Sequence, residues 1–307
     1  VKALGGSGRA GKSDIFVVEA CEFVDTFLKL SNDISVILNI DNDHLDYFGS
    51  IENSIKSFRK FASNSTGPVI VNGDDANTMK AVDGLDKEII TFGWSNKNDY
   101  YAADVRFLGG AKSGYTLMHH GKPICEIRLS IPGKHNILNS LACAAVCLYL
   151  GMNPEEMAEH IDKFPGAGRR FEILGEVNGV TIADDYAHHP TEIAATLKAA
   201  KEMDFHEVWA VFQPFTYSRT ALLMDDFVTA LSVADHVVMS EIMGSREKNT
   251  YNIYTRDLAE KIPGSVWFNT FKEMADYTMS HAKPGDLVIT LGCGDVYKCA
   301  YIMAGID

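Results

Sequence analysis

From residue 179 onward the sequence switches repeatedly between two periods, and that switching constrains the fold more tightly than any single motif. Apolar runs of strand length occupy residues 179–183, 207–212, 235–240, 265–268 and 286–291. Helical patterns at 191–201, 220–231, 256–261 and 270–281 separate them. Leu223, Phe227 and Leu231 stand at i, i+4 and i+8, which lines one helix face with apolar side chains. Strands joined through helices lie parallel, with right-handed crossovers that cover both faces of the sheet. A Rossmann-like, doubly wound α/β domain is expected.

The first half has a different texture. Runs at 14–20, 33–40, 68–72 and 88–92 read as strands of another α/β sheet, with a helix over 51–62. Runs at 100–108, 115–119 and 123–131 then read as a β-meander, turning at His120-Gly121-Lys122. Helices are expected over 136–150 and 154–163, the second with Pro154 in its first turn. Phe164-Pro165-Gly166-Ala167-Gly168 breaks any helix and permits a hinge, dividing the chain into domains at 1–166 and 167–307.

Composition then narrows the function. Hydrophobic residues make up 46% of the 307, enough for full-sized cores, and the formal net charge is −13. Such acidity argues against a sequence-independent nucleic-acid binder, which needs a cationic face to release phosphate counterions. No apolar run approaches the roughly 20 residues of a membrane-spanning helix, and no charged-then-apolar leader is seen. Six cysteines without a CxxC pair suit reduced, packed thiols in the cytoplasm.

Gly6-Ser7-Gly8-Arg9-Ala10-Gly11-Lys12-Ser13 matches the phosphate-loop pattern GxxxxGK[ST]. A working phosphate loop opens a helix, whose N-terminus shares in holding the phosphates. Here a strand-like run, Asp14-Ile15-Phe16-Val17-Val18, follows, so the match reads as a plain Gly-rich loop.

Ligands of open parallel sheets bind at the carboxyl ends of the strands. Polar clusters fall there four times in the second half: Asp184 to Pro190, Gln213 to Arg219, Glu241 to Arg246, and Gly292 to Asp295. The first half repeats the pattern, with Glu19 and Glu22 after one run and residues 39–46 (NIDNDHLD) after the next. A carboxylate and an imidazole from adjacent strand ends can share a divalent cation, and Mg²⁺ takes few protein ligands. Taken alone, Asp43-His44-Leu45-Asp46 also reads as a capped turn. Asn136 and Asn139, three apart on one helix face, offer amides to an adenine edge or simply cap a helix. Arg169-Arg170 at the hinge reads as a solvated pair or as a phosphate clamp. Cys143 and Cys147, at i and i+4, read as packed core, and the scattered histidines as surface residues.

Together these segments resemble the ATP-dependent Mur ligases of peptidoglycan synthesis. The stretches that carry the resemblance are Val18-Glu19-Ala20-Cys21-Glu22 with Asp25 to Leu28, Asn39 to Asp46, Gly133-Lys134-His135-Asn136 with Asn139, and Gly166 to Phe171. Asp184 to Glu192 (DDYAHHPTE), Phe212 to Thr220 (FQPFTYSRT) and Gly292-x-Gly294-Asp295 follow in order. The DDYAHHPTE string points to the alanine-adding branch. The resemblance implies an incomplete central P-loop-type ATPase domain followed by the Rossmann-like C-terminal domain. It also implies ATP and Mg²⁺ as cofactors, with UDP-N-acetylmuramate and L-alanine as substrates. A muramoyl carboxylate would attack the γ-phosphate, and the amine of L-alanine would then displace phosphate from the acyl phosphate.

Carried onto this chain, Glu19 and His44 would hold Mg²⁺, and Asn136 and Asn139 would contact adenine. Arg170 would reach the phosphates, and Asp185, Tyr186 and His188 would line the ribose and acceptor region. Arg219 would lie near the amino-acid or muramoyl end, so that Arg170, His188 and Arg219 become the candidate catalytic residues. Phe215 stands where relatives often carry His. The family's true phosphate loop and UDP-binding domain would precede Val1, so this chain by itself is expected to be inactive. A murein-peptide ligase and a non-catalytic nucleotide-binding module remain as alternatives. A generic oxidoreductase fails for want of a GxGxxG opening a βαβ unit.

Overall fold

The computed structural model describes residues 5–108 and 112–306. Two six-stranded sheets carry the chain. In the first half a 3-10 segment, Phe23–Lys29, leads to β1 (Ser35–Ile37), α1 (Leu45–Phe48) and α2 (Ile51–Asn64). β2 (Val69–Asn72), α3 (Ala76–Val82) and β3 (Ile89–Gly93) follow. β4 (Tyr100–Phe107), β5 (Ser113–His119) and β6 (Lys122–Leu129) complete the sheet. β1, β2, β3 and the first residues of β4 pair in parallel, and β4-β5-β6 is the expected antiparallel meander. α4 (Lys134–Tyr149) and α5 (Pro154–Asp162) close this half.

Local chemistry accounts for these boundaries. The hydroxyl of Ser50 accepts from the Asn53 amide to start α2, and Asn153 does the same for α5, where Pro154 sits at the first position. The small-residue helix α4 lays Ile137, Leu141, Ala144 and Ala145 against Tyr115, Leu117 and Ile127 of the meander. Its Cys143 faces solvent, contrary to the packed-core reading, because the buried stripe runs along the other side of the helix.

The second half contains β7 (Glu172–Val177), β8 (Val180–Asp185), α6 (Pro190–Lys201) and β9 (Val208–Phe212). It continues through α7 (Tyr217–Leu222), α8 (Met224–Leu231), β10 (His236–Ser240) and α9 (Thr255–Ala259). β11 (Val266–Phe268), α10 (Phe271–His281), β12 (Leu287–Leu291) and α11 (Tyr297–Ala304) end it. The sheet order is β11-β10-β9-β12-β8-β7, parallel except for the edge strand β7. β9 and β12 are buried along their whole length, as central parallel strands covered on both faces must be. One face packs against Ile193, Leu197, Phe227 and Leu231, the other against Met274, Cys299 and Met303. This is the doubly wound arrangement expected of the second half.

Two expectations need correction, and one strand was not expected. Residues 14–20 form no strand: Phe16 and Val17 are each 86% exposed, because an apolar run makes a ladder only where a neighbouring strand takes up its backbone groups. Glu19 therefore lies within an irregular segment, and Glu22 follows it. The helix expected over 220–231 is two, α7 and α8, broken at Leu223, whose φ of −113° and ψ of 26° are not helical. β7 escaped notice because its irregular register at Gly175 blurs the alternation of a strand. The Gly-rich loop 6–13 is exposed and opens no helix, as a plain loop would.

Candidate active site between the two sheets

Beyond the end of β1 the chain runs to Asp43 and His44, the latter in the left-handed conformation (φ 51°). His44 Nε2 lies 3.3 Å from Glu22 Oε1 and 3.8 Å from Asp43 Oδ2, and its ring packs 4.7 Å from that of Phe23. Glu22, Asp43 and His44 each bring one potential ligand atom within 4.8 Å of the others. The hydrogen bond from His44 holds Glu22 below the usual carboxylate range, and Glu22 in turn raises the pKa of His44. Burial works to raise Asp43, but the charges of Arg219 and His44 outweigh it and leave its pKa lowered. The set thus stays anionic at neutral pH and suits a divalent cation.

The sequence-derived metal pair was Glu19 and His44. The structure leaves Glu19 exposed and, among the described residues, joins it to His44 by no ion pair. The carboxylates that meet His44 belong to Glu22 and Asp43. Glu22 lies three residues beyond Glu19, so with the strand expectation gone the sequence held no signal to choose between them.

The second half faces this cluster with the start of α6 and α7. Thr216 caps α7 by accepting from the Arg219 amide, and Glu247 receives the Ser218 amide and hydroxyl, fixing the loop. Arg219 Nη2 then reaches 2.5 Å to Asp43 Oδ1 across the seam. Thr191 Oγ1 donates to Asp41 Oδ2 at 2.8 Å, and His189 Nε2 lies 3.2 Å from the carbonyl of Asn42. Thr191 and Asp41 lie within the strings Asp184 to Glu192 and Asn39 to Asp46 but are not among the expected site residues. His188 Nδ1 is held by the Tyr186 carbonyl at 3.1 Å and by Glu192 Oε2 at 3.2 Å, and its Nε2 has no protein partner among the described residues. Tyr186 and Phe215 meet the His188 ring edge-on at 5.6 and 6.4 Å. The structure thus groups Tyr186, His188 and Phe215, and sets Arg219 against the Asp43–His44 cluster.

Asn136 and Asn139 share a face on the first turns of α4. Asn136 Nδ2 donates to the Pro132 carbonyl at 2.7 Å, and Asn139 Nδ2 donates to Asn136 Oδ1 at 3.2 Å, so only exposed Asn139 presents its carbonyl oxygen outward. Arg170 is exposed, its guanidinium 5.5 Å from the Tyr186 ring, and its charge lowers the pKa of half-buried His135 together with the larger effect of burial. Asp185 is 5% exposed and accepts the amides of Phe171 and Ala187, each at 2.7 Å, so both oxygens already serve the loop. Burial raises its pKa to about 6 in spite of those donors. Sequence reasoning chose Arg170 as the working arginine, but Arg169 is the better anchored. Its Nε sits 2.7 Å from Asp184 Oδ2, and its Nη2 donates to the Gly292 carbonyl at 2.7 Å. A Cβ on Gly294 beside it would come within 2.5 Å of Gln213 Oε1 and displace the side chain that accepts the Asp295 amide.

Anionic ligand atoms on one side of a seam, with a guanidinium and an imidazole on the other, make an arrangement for positioning a metal-bound, negatively charged substrate. Residues 7–147 match the Mur ligase middle domain, and residues 169–294 match the Mur ligase glutamate ligase domain. The chain belongs to the Mur ligase family. A UDP-N-acetylmuramate–L-alanine ligase of Caldanaerobacter subterraneus subsp. tengcongensis is 45% identical over 97% of this chain and 66% of its own length. One from Caldicellulosiruptor saccharolyticus is 43% identical, over 97% of this chain and 67% of its own. The solved UDP-N-acetylmuramate–alanine ligase of Thermotoga maritima superposes with a TM-score of 0.73 at 26% identity, covering 92% of this chain and 61% of that one. The chain thus spans about two thirds of the length of the curated relatives it matches. Among the described residues no helix is long and apolar enough to cross a membrane.

Proposed function

We propose that this chain supplies the ATP-handling and amino-acid-adding parts of a cytoplasmic UDP-N-acetylmuramate–L-alanine ligase, with the two divided near residues 166 and 167. The observation that carries the reading is the seam itself, where Glu22, Asp43 and His44 of one half face Arg219 of the other. Glu22, Asp43 and His44 would hold Mg²⁺, which supplies charge neutralisation at the transferring phosphate. Two carboxylates suit that oxygen-seeking ion, and the family resemblance supports ATP as its companion. Asn139 and Asn136 lie on the helix face proposed for adenine, and exposed Arg170 is placed to receive phosphate oxygens near the hinge. Arg219 would turn from Asp43 to the anionic substrate, as a guanidinium fork suits carboxylate and phosphate alike. His188, oriented through Nδ1 by Glu192, leaves Nε2 to take the proton that the attacking amine of L-alanine must lose. Asp185 would shape the ribose side of the loop through Phe171 and Ala187, and Tyr186 would line the acceptor region.

The test is phosphate release by the complete gene product. Release should require ATP, UDP-N-acetylmuramate and L-alanine together, and Arg219→Ala should lower kcat/KM by about 100-fold or more, the scale of one lost transition-state donor. Equal turnover with a tripeptide in place of L-alanine would instead identify a murein-peptide ligase. Unaltered kinetics in Arg219→Ala would remove the seam from the mechanism.

A further inference from the structure

The amino-terminal edge of the second sheet, opposite the proposed active site, holds a second group of ligand-type side chains. His206 and Glu207 immediately precede β9, Asp286 immediately precedes β12, and His236 opens β10. One atom each from His206, Glu207 and Asp286 lies within 4.8 Å of the other two. Asp286 is fully buried. It accepts the Lys283 amide at 2.8 Å, the Trp209 indole N–H at 3.2 Å and His206 Nδ1 at 3.0 Å. None of these donors carries a permanent positive charge, and among the described residues no lysine or arginine pairs with Asp286. Buried carboxylates are ordinarily paired with a cation or bound to a metal. On the other flank Glu207 Oε2 lies 3.0 Å from His236 Nε2, whose ring stacks 3.9 Å from that of Trp209.

We propose that His206, Glu207 and Asp286 form a binding site for a borderline first-row divalent ion of the zinc type. One imidazole with two carboxylates and no thiolate suits Zn²⁺, Co²⁺ or Ni²⁺, whereas Mg²⁺ prefers an octahedron of oxygens. Tetrahedral ligands at about 2.0–2.1 Å from zinc stand roughly 3.4 Å apart. The His206–Asp286 pair at 3.0 Å is near that spacing already. Exposed His206 and half-buried Glu207 can close the rest by side-chain rotation, while Asp286 stays fixed by its backbone and indole donors. His236 holds Glu207 in place from outside, as outer-shell partners do. An ion here would tie together the entries of β9 and β12, which pair directly from Val208 and Leu287. It would lie one strand length, about 15 Å, from the carboxyl ends that carry Asp185 and Arg219. The site is therefore independent of the ligase reading.

The test uses Co²⁺ as the probe, titrated into the chelator-stripped complete gene product carrying His44→Ala, so that the first-half cluster does not compete. One equivalent should bind with visible absorption bands of low-coordinate cobalt and quenching of tryptophan fluorescence, since Trp209 contacts the site. His206→Ala and Glu207→Gln, both at positions with solvent access, should each weaken binding tenfold or more. Zn²⁺ should raise the melting temperature of the His44→Ala chain but not of its His206→Ala derivative. No cobalt uptake up to millimolar concentration, or an affinity that neither substitution changes, would overturn the site and leave a hydrogen-bonded cluster without metal.

Discussion

Arg169 and Asp185 show how single residues tie the hinge to the second sheet. Arg169 spans Asp184 and two loop carbonyls while lying 4.9 and 4.8 Å from the rings of Tyr186 and Tyr297, so its fork, charge and flat face are all used. Its left-handed backbone (φ 57°), followed two residues later by Phe171 (φ 49°), turns the chain so that the Phe171 amide reaches Asp185. Asp185 sits there at a cost, since burial lifts its pKa from 3.8 to about 6. A carboxyl raised in the folded state ionises first in the unfolded chain. Its contribution therefore favours folding below pH 4, declines between about pH 4 and 6, and stays low above that. Two pKa units correspond to roughly 3 kcal/mol. Unfolding free energies measured between pH 4 and 7 should show this decline, and Asp185→Asn should flatten it. A carbon-13 titration placing Asp185 near 4 would show that Arg170 and the two amides outweigh burial.

At the scale of elements, α6 joins structure to chemistry in one short string. Pro190 occupies the first turn, His189 accepts the Thr191 amide, and Glu192 returns to accept the amides of His188 and His189 at 3.0 and 3.2 Å. Burial pushes Glu192 upward, but the hydrogen bond from the His188 ring and those from the His188 and His189 amides hold it at about 2. With its folded pKa below the ordinary 4.5 of a glutamate, Glu192 stabilises the fold above that pH and loses its contribution as pH falls toward 2. Glu192→Ala should cost about 1–2 kcal/mol, the scale of a lost helix cap, read as a lower denaturation midpoint at pH 7 that converges with the parent near pH 2. DDYAHHPTE was legible because cap, proline and imidazoles are adjacent in sequence, and the parallel core was legible because VWAVF and LVITL are apolar throughout. The run at 14–20 misled because apolar pattern says nothing about whether a pairing partner is present. The pairing of His44 with Glu22, and the anchoring of Arg169 on residues 184 and 292, were hidden because they depend on left-handed turns at non-glycine residues.

For the molecule as a whole, the decisive fact is what the seam between the sheets is made of. The four apolar clusters each belong to one half: two draw only on residues 20–161, two only on residues 171–304. The seam instead carries Arg219–Asp43, Thr191–Asp41, His189–Asn42, an exposed Lys134–Glu202 pair and the Arg246 guanidinium 5.0 Å from the Phe23 ring. The exposed contacts among these, Lys134–Glu202 and Thr191–Asp41, contribute up to about 1 kcal/mol each, and polar interfaces between domains permit relative motion. The halves can therefore separate without disturbing either core, and charge decides how far. Arg219–Asp43 is less exposed than the Lys134–Glu202 pair, and as Arg219 would also be the substrate's ligand, an arriving anion would compete with Asp43 for it. The variant Thr191→Val with Arg219→Ala should accordingly raise the radius of gyration in small-angle scattering and speed proteolysis at residues 164–168. The melting of each half should shift by no more than a few degrees. An unchanged radius together with a large loss of stability would mean that the seam is part of one cooperative core.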